Sequence, residues 1–246
     1  MTAKPGQETD TSLQSGQRAS RNFADLPLQQ KIDALHKMSG ALQVTMIHNE
    51  AHPELFVQSL PLLDFYRIIR AVGAESSLFQ LASPEQVRFV LDLELWEAWS
   101  ISQEEAIKWL ETLLDTGDKH AVRLLAQLDL ELLLIFLKKN MSVGGGLGDI
   151  INSEDYQGVW DHTFDEIFYL HLHDEDSSEL ILRMLELLYT EEHALYRSLM
   201  LGVENELLTE LEEVAWQFRS GRLEDEGLPP AVTATTLFTI LKDRCL

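Results

Sequence analysis

Three histidines near residue 170 are the side chains of this 246-residue chain best suited to bind a metal ion. Polar and apolar residues alternate over residues 167–173, and a period of two residues is typical of a strand. A hairpin with its tip at residues 165–166 would place the imidazoles on one face, where they could bind zinc or iron together with a carboxylate. The predicted ligands are His162, His171, His173 and Asp174.

The same alternation also fits a two-stranded ribbon whose polar face meets water and binds no ion. A metal site requires the strand, the register and the side-chain rotamers to be correct together, whereas the solvated ribbon requires the strand alone. We therefore expect no cofactor, and zinc or iron is the alternative.

A pair of arginines forms the second candidate site, because it stands in the most acidic part of the chain. Residues 149–226 contain 21 acidic and four basic residues. In one interpretation Gly221 ends a helix and Arg219 lies in its last turn, where the helix dipole favours a cation. In the other, Arg219 and Arg222 bind an anion or a carboxylate of a partner protein. The sequence leaves both interpretations open.

Motifs of common catalytic and nucleotide-binding sites are missing from the sequence. It contains neither Gly-x-Ser-x-Gly nor His-Glu-x-x-His. The glycine-rich segment Gly144–Gly148 lacks the Lys and Ser or Thr that end a phosphate-binding loop, and we interpret it as a linker. The one cysteine, Cys245, excludes an internal disulfide and is poorly placed as a nucleophile. We lean towards a protein that is not an enzyme, although the sequence does not decide this.

The charge of the chain argues against two classes of partner. It contains 19 Lys and Arg against 41 Asp and Glu, a formal net charge of −22. Nucleic acids and anionic membrane surfaces both attract clustered basic residues, so neither is an expected partner. No apolar run reaches the roughly 20 residues that span a bilayer, and residues 1–22 lack the apolar core of a secretory signal. We expect a cytoplasmic location and no membrane insertion.

Apolar residues recur at helical spacing through most of the chain, which predicts a mainly α-helical fold. The run Ser83–Gln86 combines a capping residue, a proline suited to the first helical position and a Gln that can complete a capping box. The same logic predicts helix starts at Ser102, Asp176 and Thr190, and a helix end at Gly221. The helices are short and amphipathic, so each needs neighbours to cover its apolar face.

A repeated pentapeptide indicates how the helices are arranged. Leu-Asp-Leu-Glu-Leu occurs at residues 91–95 and again at 128–132, and short helices of this kind stack as pairs in repeat proteins. We predict a mainly α fold of short amphipathic helices, stacked as repeat-like helix pairs, with a small β-hairpin near residues 159–173. An irregular helical bundle, in which the recurrence is chance, is the alternative.

Composition divides the chain into five segments. A start poor in apolar residues, a glycine-rich middle and a Pro-Pro step near the end mark the limits. The segments are a disordered tail at residues 1–22, a helical repeat-like domain at 23–140, a glycine-rich linker at 141–158, a β-hairpin with helices at 159–230, and a C-terminal segment at 231–246 that could be truncated.

Four stretches of the sequence carry a resemblance to one known family. The most specific is WQFRSGRL at residues 216–223, followed by Gly227 and Pro229. The others are LFVQSLPLLDFYRIIRAVG at 55–73, ASPEQVRFVLDLELW at 82–96 and LDLELLLIFLKK at 128–139. On these residues the chain, over roughly residues 50–230, resembles an uncharacterised bacterial family, one of the catalogued domains of unknown function.

The resemblance implies a helical fold and no particular chemistry, because no activity is established for the family. Members of the family are longer, so the chain resembles their front part. The sequence is more weakly similar to the helical cytoplasmic domain of MgtE-type magnesium transporters, which also has short helices with Leu-Asp/Ser-Pro-Glu-like starts. The proline of such a start is missing at Asp129-Leu130.

The helical pattern favours a scaffold, that is, a protein–protein interaction or regulatory module, because stacked helices offer extended surfaces without a catalytic site. The expected partner is a protein, and its identity stays open. The alternative is a metal-dependent enzyme or metal sensor that uses His162, His171 and His173. A magnesium-responsive regulatory module is a third possibility.

Overall fold

The structure, a computed structural model, describes residues 23–145 and 160–228 of the chain. Within these two ranges it contains twelve helices and two small antiparallel pairs of strands. The prediction of a mainly helical fold with a small β-hairpin is therefore confirmed. The tail predicted at 1–22, most of the linker predicted at 141–158 and the C-terminal segment predicted at 231–246 lie outside the described residues.

Contacts divide the chain into two compact units, Met1–Val90 and Leu91–Leu246. The division falls within a helix rather than at the glycine-rich segment that the composition indicates. The first unit contains α1 (Leu28–Leu35), α2 (Gly40–His48), α3 (Pro53–Gln58), α4 (Leu62–Val72), α5 (Ser76–Phe79) and most of α6 (Pro84–Glu94).

Proline sets the start of four of these helices. It is the residue just before α1 and α4, and it is the first residue of α3 and α6. Its fixed φ suits the first helical turn, where its missing N–H would have no partner in the helix anyway. Gly73 follows α4 with a φ of 96°, a left-handed conformation that ends the helix without strain.

Gln86 links the start of α6 to the chain that follows α3. The predicted capping box is present, because the Ser83 N–H donates to Gln86 Oε1 (3.0 Å) and the Gln86 N–H donates to Ser83 Oγ (3.3 Å). The Gln86 amide also donates to the carbonyl oxygens of Val57 (2.8 Å) and Leu60 (3.0 Å). The side chain is 1% exposed, so one amide bonds two buried carbonyls and one end of a helix.

We expect Gln86→Ala to lower the free energy of unfolding by about 2–3 kcal/mol, because buried carbonyls lose their donor and a space remains. Urea unfolding followed by circular dichroism measures the change. Gln29→Ala is the matched control, since Gln29 is exposed and its amide donates to Asp33 one turn along α1. Its effect should stay within about 0.5 kcal/mol. Equal losses in the two variants would contradict the buried role of Gln86.

The second unit is built around a helix that is apolar along its whole middle. Its elements are the end of α6, β1 (Trp96–Glu97), β2 (Ser100–Ile101), α7 (Gln103–Leu114), α8 (Asp118–Leu125), α9 (Leu130–Asn140), β3 (Met141–Gly145), β4 (Phe168–Leu172), α10 (Glu175–Glu191), α11 (His193–Asn205) and α12 (Leu208–Asp225). All residues from Leu132 to Leu137 of α9 are buried, as expected for a helix with neighbours on every side.

Close packing around α9 depends on one glycine. The helix contacts α11, α12, β3 and α7. Gly202 of α11 lies so near α9 that a Cβ there would come within 2.6 Å of the Leu134 side chain. A larger residue would force the Leu134 side chain to move or the two helices to separate.

The strand predicted at the histidines is present, but its main partner differs from the prediction. β4 pairs antiparallel with β3, from Met141 opposite Leu172 to Gly145 opposite Phe168. β3 lies in the segment 141–158 that the sequence assigns to a linker. Burial of Met141 and Val143 explains the difference, because alternate residues of the strand cover the core.

Two predicted helix starts lie elsewhere in the structure. α10 is capped by Asp174 rather than Asp176, and Asp174 Oδ2 accepts a hydrogen bond from the Ser177 N–H (3.2 Å). Thr190 starts no helix, because it lies inside α10 and its hydroxyl donates to the Glu186 carbonyl (2.9 Å). Ser102 does precede α7, but its side chain makes no capping hydrogen bond.

The helix end predicted at Gly221 is also wrong. α12 continues to Asp225, and Gly227 follows it with a φ of 77°. The later residues Arg222 and Leu223 make contacts that keep the helix going, Arg222 with carboxylates of the same unit and Leu223 by burial. Tertiary contacts therefore outweigh the weak helix propensity of glycine at this exposed position. In the described ranges, no helix combines the length and the apolar character needed to cross a membrane.

Candidate functional site

His162 lies on the opposite face of the ribbon from His171 and His173. It bridges to Leu170, whose N–H donates to the His162 carbonyl (2.8 Å). Residues directly opposite each other share a face, and Leu170 is fully buried. The predicted two-residue turn would have paired His162 with Tyr169 instead. A shift of one residue in the register therefore moves this imidazole to the core side.

The other predicted ligands, His171, His173 and Asp174, lie close together, but each forms a hydrogen bond with a different group. The rings of His171 and His173 are 6.0 Å apart between centroids. His171 Nδ1 lies 2.9 Å from Asp161 Oδ2, while His173 Nε2 lies 2.8 Å from Ser142 Oγ. Asp174 caps α10. The structure thus brings His171 and His173 to one face and does not bring His162 to them.

No group of three or more His, Cys, Asp or Glu side chains in the described part of the chain is arranged to hold a metal ion. His162 Nε2 is buried and makes no hydrogen bond. Its ring packs edge-on against Phe164, with centroids 4.3 Å apart. Phe164 in turn stacks on Tyr189, so His162 belongs to a half-buried aromatic cluster.

We expect His162→Phe to leave the free energy of unfolding unchanged or to raise it by about 1 kcal/mol, because a buried nitrogen without a partner is removed from an aromatic cluster. Urea unfolding of the untagged protein, after dialysis against zinc and after chelation, measures this. A zinc-dependent stability that His162→Phe abolishes would instead support the metal site of the sequence prediction.

A cleft of about 440 Å³ opens beside His173 and Asp174. Other residues that line it include Glu104, Lys139 and Asp176. The Lys139 ammonium is bonded to Ile101 O (3.3 Å) and to two further groups of the same unit. The sequence prediction missed this cleft, because it forms where the starts of α7 and α10 meet the end of α9.

The two arginines of the sequence prediction lie in α12, where Arg222 contacts two carboxylates of its own chain and Arg219 contacts a backbone carbonyl. Arg222 donates two hydrogen bonds to the Asp92 carboxylate, from Nε to Oδ2 and from Nη2 to Oδ1, both 2.8 Å. Its Nη2 also lies 2.7 Å from Asp129 Oδ2. Arg219 Nε donates to the Asp92 carbonyl (2.6 Å). We call these four residues, Arg219, Arg222, Asp92 and Asp129, the arginine cluster.

Indole rings cover the Arg219 side of the cluster. The guanidinium carbon of Arg219 is 4.9 Å from the Trp216 ring centroid and 5.4 Å from that of Trp96. Both distances are within the range of cation–π attraction. Trp99 then lies against Trp216, with centroids 4.6 Å apart and the rings tilted by 45°.

Burial dominates the electrostatics of the cluster. It raises the pKa of the Asp92 carboxyl, and the hydrogen bonds and charge of Arg222 oppose this only in part. Burial also lowers the pKa of Arg219. For Arg222 burial acts in the same direction, but its bonds to Asp92 and Asp129 outweigh it and the net pKa shift is upward. The cluster has two positive and two negative groups, so its formal charges balance.

The partners of Arg222 come from the repeated pentapeptide. Asp92 and Asp129 are the second residues of its two copies. One copy lies at the end of α6 and the other spans the start of α9, where Asp129 is the residue before the helix. The two copies therefore occupy different structural positions, but each supplies a carboxylate that binds the guanidinium of Arg222. This duplication was the sequence signal that could have identified the two carboxylates.

We expect Arg222→Met to lower the free energy of unfolding by roughly 3–5 kcal/mol at pH 8, because a buried carboxylate loses its cation beside a second carboxylate. The pKa of Asp92 in the folded protein should rise further. The folded state then binds more protons than the unfolded chain between the two pKa values, so stability falls as pH rises through that window. The loss should therefore be smaller at pH 5, as measured by urea unfolding at both pH values.

Asp92→Asn combined with Arg222→Met is the matched control for this pH dependence. The double variant has no carboxylate at position 92, so it should regain part of the lost stability at pH 8 and show a loss that no longer depends on Asp92 ionisation. A single variant whose loss is the same at both pH values would contradict the assignment.

A small hairpin lies on one flank of α12. β1 pairs with β2, and Ser100 of β2 donates to Glu212 Oε1 of α12 (2.9 Å). The Lys139 ammonium bonds both Ser100 Oγ (2.5 Å) and Glu212 Oε1 (2.9 Å). The hairpin is therefore fixed to α12 and α9 by a three-residue polar bridge. Its tip carries Trp99, which is 60% exposed.

The other flank of α12 is apolar and exposed. Its residues, which we call the α12 stripe, are Leu207, Val214 and Phe218, with exposed fractions of 60%, 37% and 49%. Leu207 is the residue just before the helix. Spacings of seven and four residues place the three on one side of a helix. Val214 and Trp216 are two residues apart, about 200° around the helix, so the stripe and the hairpin face opposite ways.

These features define a class: an acidic, mainly helical protein in which an internally paired arginine cluster holds a helix with one exposed apolar flank and one flank covered by a hairpin. The chain belongs to DUF6178, a family of unknown function, whose family model matches residues 20–245. The resemblance to an uncharacterised family is thereby confirmed, over a longer part of the chain than the sequence indicated. No curated protein and no solved structure matches the chain. The similarity to MgtE-type transporters has no support in these comparisons.

Proposed function

We propose that the protein is an interaction module that binds a basic amphipathic helix of a partner protein along the α12 stripe. The observation that carries this proposal is the exposure of Leu207, Val214 and Phe218 on one side of a single helix. Exposed apolar residues scattered singly are common, whereas a row on one helix face is the pattern that a docked helix covers.

Charge on α12 favours a basic partner. Within this helix, which lies entirely in the described range, all charged residues classed as exposed are acidic, and they are Glu210, Glu213, Glu224 and Asp225. The two arginines of the helix are engaged in the arginine cluster. Lys or Arg residues beside the apolar face of a partner helix would meet these carboxylates, which would steer association and reject acidic competitors.

The arginine cluster supports binding by fixing α12 before a partner arrives. Arg222 ties the helix to Asp92 and to Asp129, and α9 packs along it. A surface that is already ordered loses less conformational entropy on binding. A short stripe of this size suggests modest affinity, on the order of micromolar.

Binding of designed peptides tests the proposal. The probe is a Leu/Lys peptide with one apolar helical face, and its control has the same composition with the apolar face scrambled. We expect Val214→Ser combined with Phe218→Ser to weaken binding at least tenfold, because burial of a Phe and a Val contributes roughly 1.5–3 kcal/mol each. Isothermal calorimetry on the full chain measures both affinities.

Thr209→Ser is the matched control variant, since Thr209 is exposed on α12 and lies two residues after Leu207, about 200° around the helix from the stripe. It should bind the amphipathic peptide as the unmodified chain does. Equal binding of the scrambled peptide would show simple charge attraction and contradict the proposal. The stripe variants also test two other occupants. A drop of several degrees in melting temperature would mean that the chain covers its own stripe, and dissociation of a dimer on sedimentation would mean that a second copy does.

A further inference from the structure

Trp99 follows a strained residue at the tip of the hairpin and is 60% exposed, although its ring contacts Trp216. The strained residue is Ala98, which adopts a φ of 54°, a left-handed conformation that is unfavourable for a residue with a Cβ. Strain of this kind persists where the surroundings fix the chain. Here the Ser102 N–H donates to the Leu95 carbonyl (2.8 Å) across the base of the hairpin, and the polar bridge at Ser100 holds its second strand.

The surroundings of the hairpin tip are suited to a cation. The inner face of Trp99 meets Trp216, and Trp216 already has a guanidinium, that of Arg219, 4.9 Å from its centroid. The carboxylates nearest in sequence are Glu97, two residues before Trp99 and exposed, and Glu213, one turn before Trp216 on α12 and also exposed. Electron-rich ring faces and carboxylates attract the same ligand, a positively charged planar or ammonium group.

We infer that the outer face of Trp99 binds a guanidinium side chain, an arginine of a partner protein. Arginine fits better than lysine, because its planar group can stack on the indole while its N–H donors reach a carboxylate such as Glu97. Tryptophan and arginine are also the residues most enriched among those that dominate binding energy at protein interfaces. The site faces away from the α12 stripe, so it does not rest on the function proposed above.

The test uses the full chain with ¹⁵N-labelled tryptophan, whose indole N–H signals report each ring separately. The probes are the tripeptide acetyl-Gly-Arg-Gly-amide and the same peptide with citrulline, which keeps the planar group but carries no charge. The Trp99 signal is assigned with Trp99→Phe. We expect it to shift on titration with the arginine probe, with a dissociation constant at least threefold lower than that of the citrulline probe. The signal of buried Trp109 is the internal control and should stay in place.

Two variants sharpen the result. Trp99→Leu keeps an apolar side chain but has no ring, so the Trp216 signal should no longer respond to the probe. Glu97→Gln leaves the indoles in place and should weaken binding about two- to threefold. Folding of both is checked by the positions of the remaining indole signals.

Three outcomes would overturn the inference. Equal binding of the citrulline probe would show stacking without recognition of charge. Unchanged binding in Trp99→Leu would place the peptide elsewhere on the acidic surface. A Trp99 ring that acrylamide does not quench in the absence of probe would show that the chain itself covers the site.

Discussion

One guanidinium, that of Arg222, connects three separate parts of the second unit. It binds Asp92 in the last turn of α6 and Asp129 at the start of α9, and it belongs to α12 itself. Burial of an ion pair carries a large desolvation penalty, which only good geometry and further hydrogen bonds offset. The bidentate hydrogen bonding between Arg222 and Asp92 provides this geometry. The hairpin that carries Trp99 begins four residues after Asp92 and is held to α12 by the separate polar bridge at Ser100.

α12 differs from a simple amphipathic surface helix, because it carries arginines towards the inside and apolar residues on an exposed flank. Arg219 and Arg222 point to the inside, while Val214 and Phe218 are exposed. An exposed apolar residue alone explains little, since much of any protein surface is apolar. The buried face of α12 combines Leu211, Ala215 and Leu223 with the guanidinium of Arg219, whereas Val214 and Phe218 lie outside that face and gain no burial within the described part of the chain. This contrast is the physical reason to assign those residues to an intermolecular contact.

Local signals predicted the helical character of the chain and one capping box, whereas several helix ends were decided by contacts distant in sequence. The capping box at Ser83 and Gln86 depends only on residues within a four-residue segment, and it is present as predicted. The helix end at Gly221 fails because contacts of Arg222 with distant carboxylates decide where α12 ends. The predicted arrangement of the three histidines differs for a similar reason: a register shift of one residue, which depends on how the ribbon packs against the core, places His162 on the other face.

The duplicated Leu-Asp-Leu-Glu-Leu shows why the candidate site was visible in the sequence yet could not be assembled from it. Its copies suggest a structural repeat, but they share a chemical role, since each provides one carboxylate to Arg222. Sequence alone does not tell which of the 19 basic residues lies between them. Once both are placed, α12 has one side turned inward and two flanks about 200° apart. A helix docked on the stripe cannot also reach Trp99, so two contacts, both selecting cations, would have to be made by different parts of a partner.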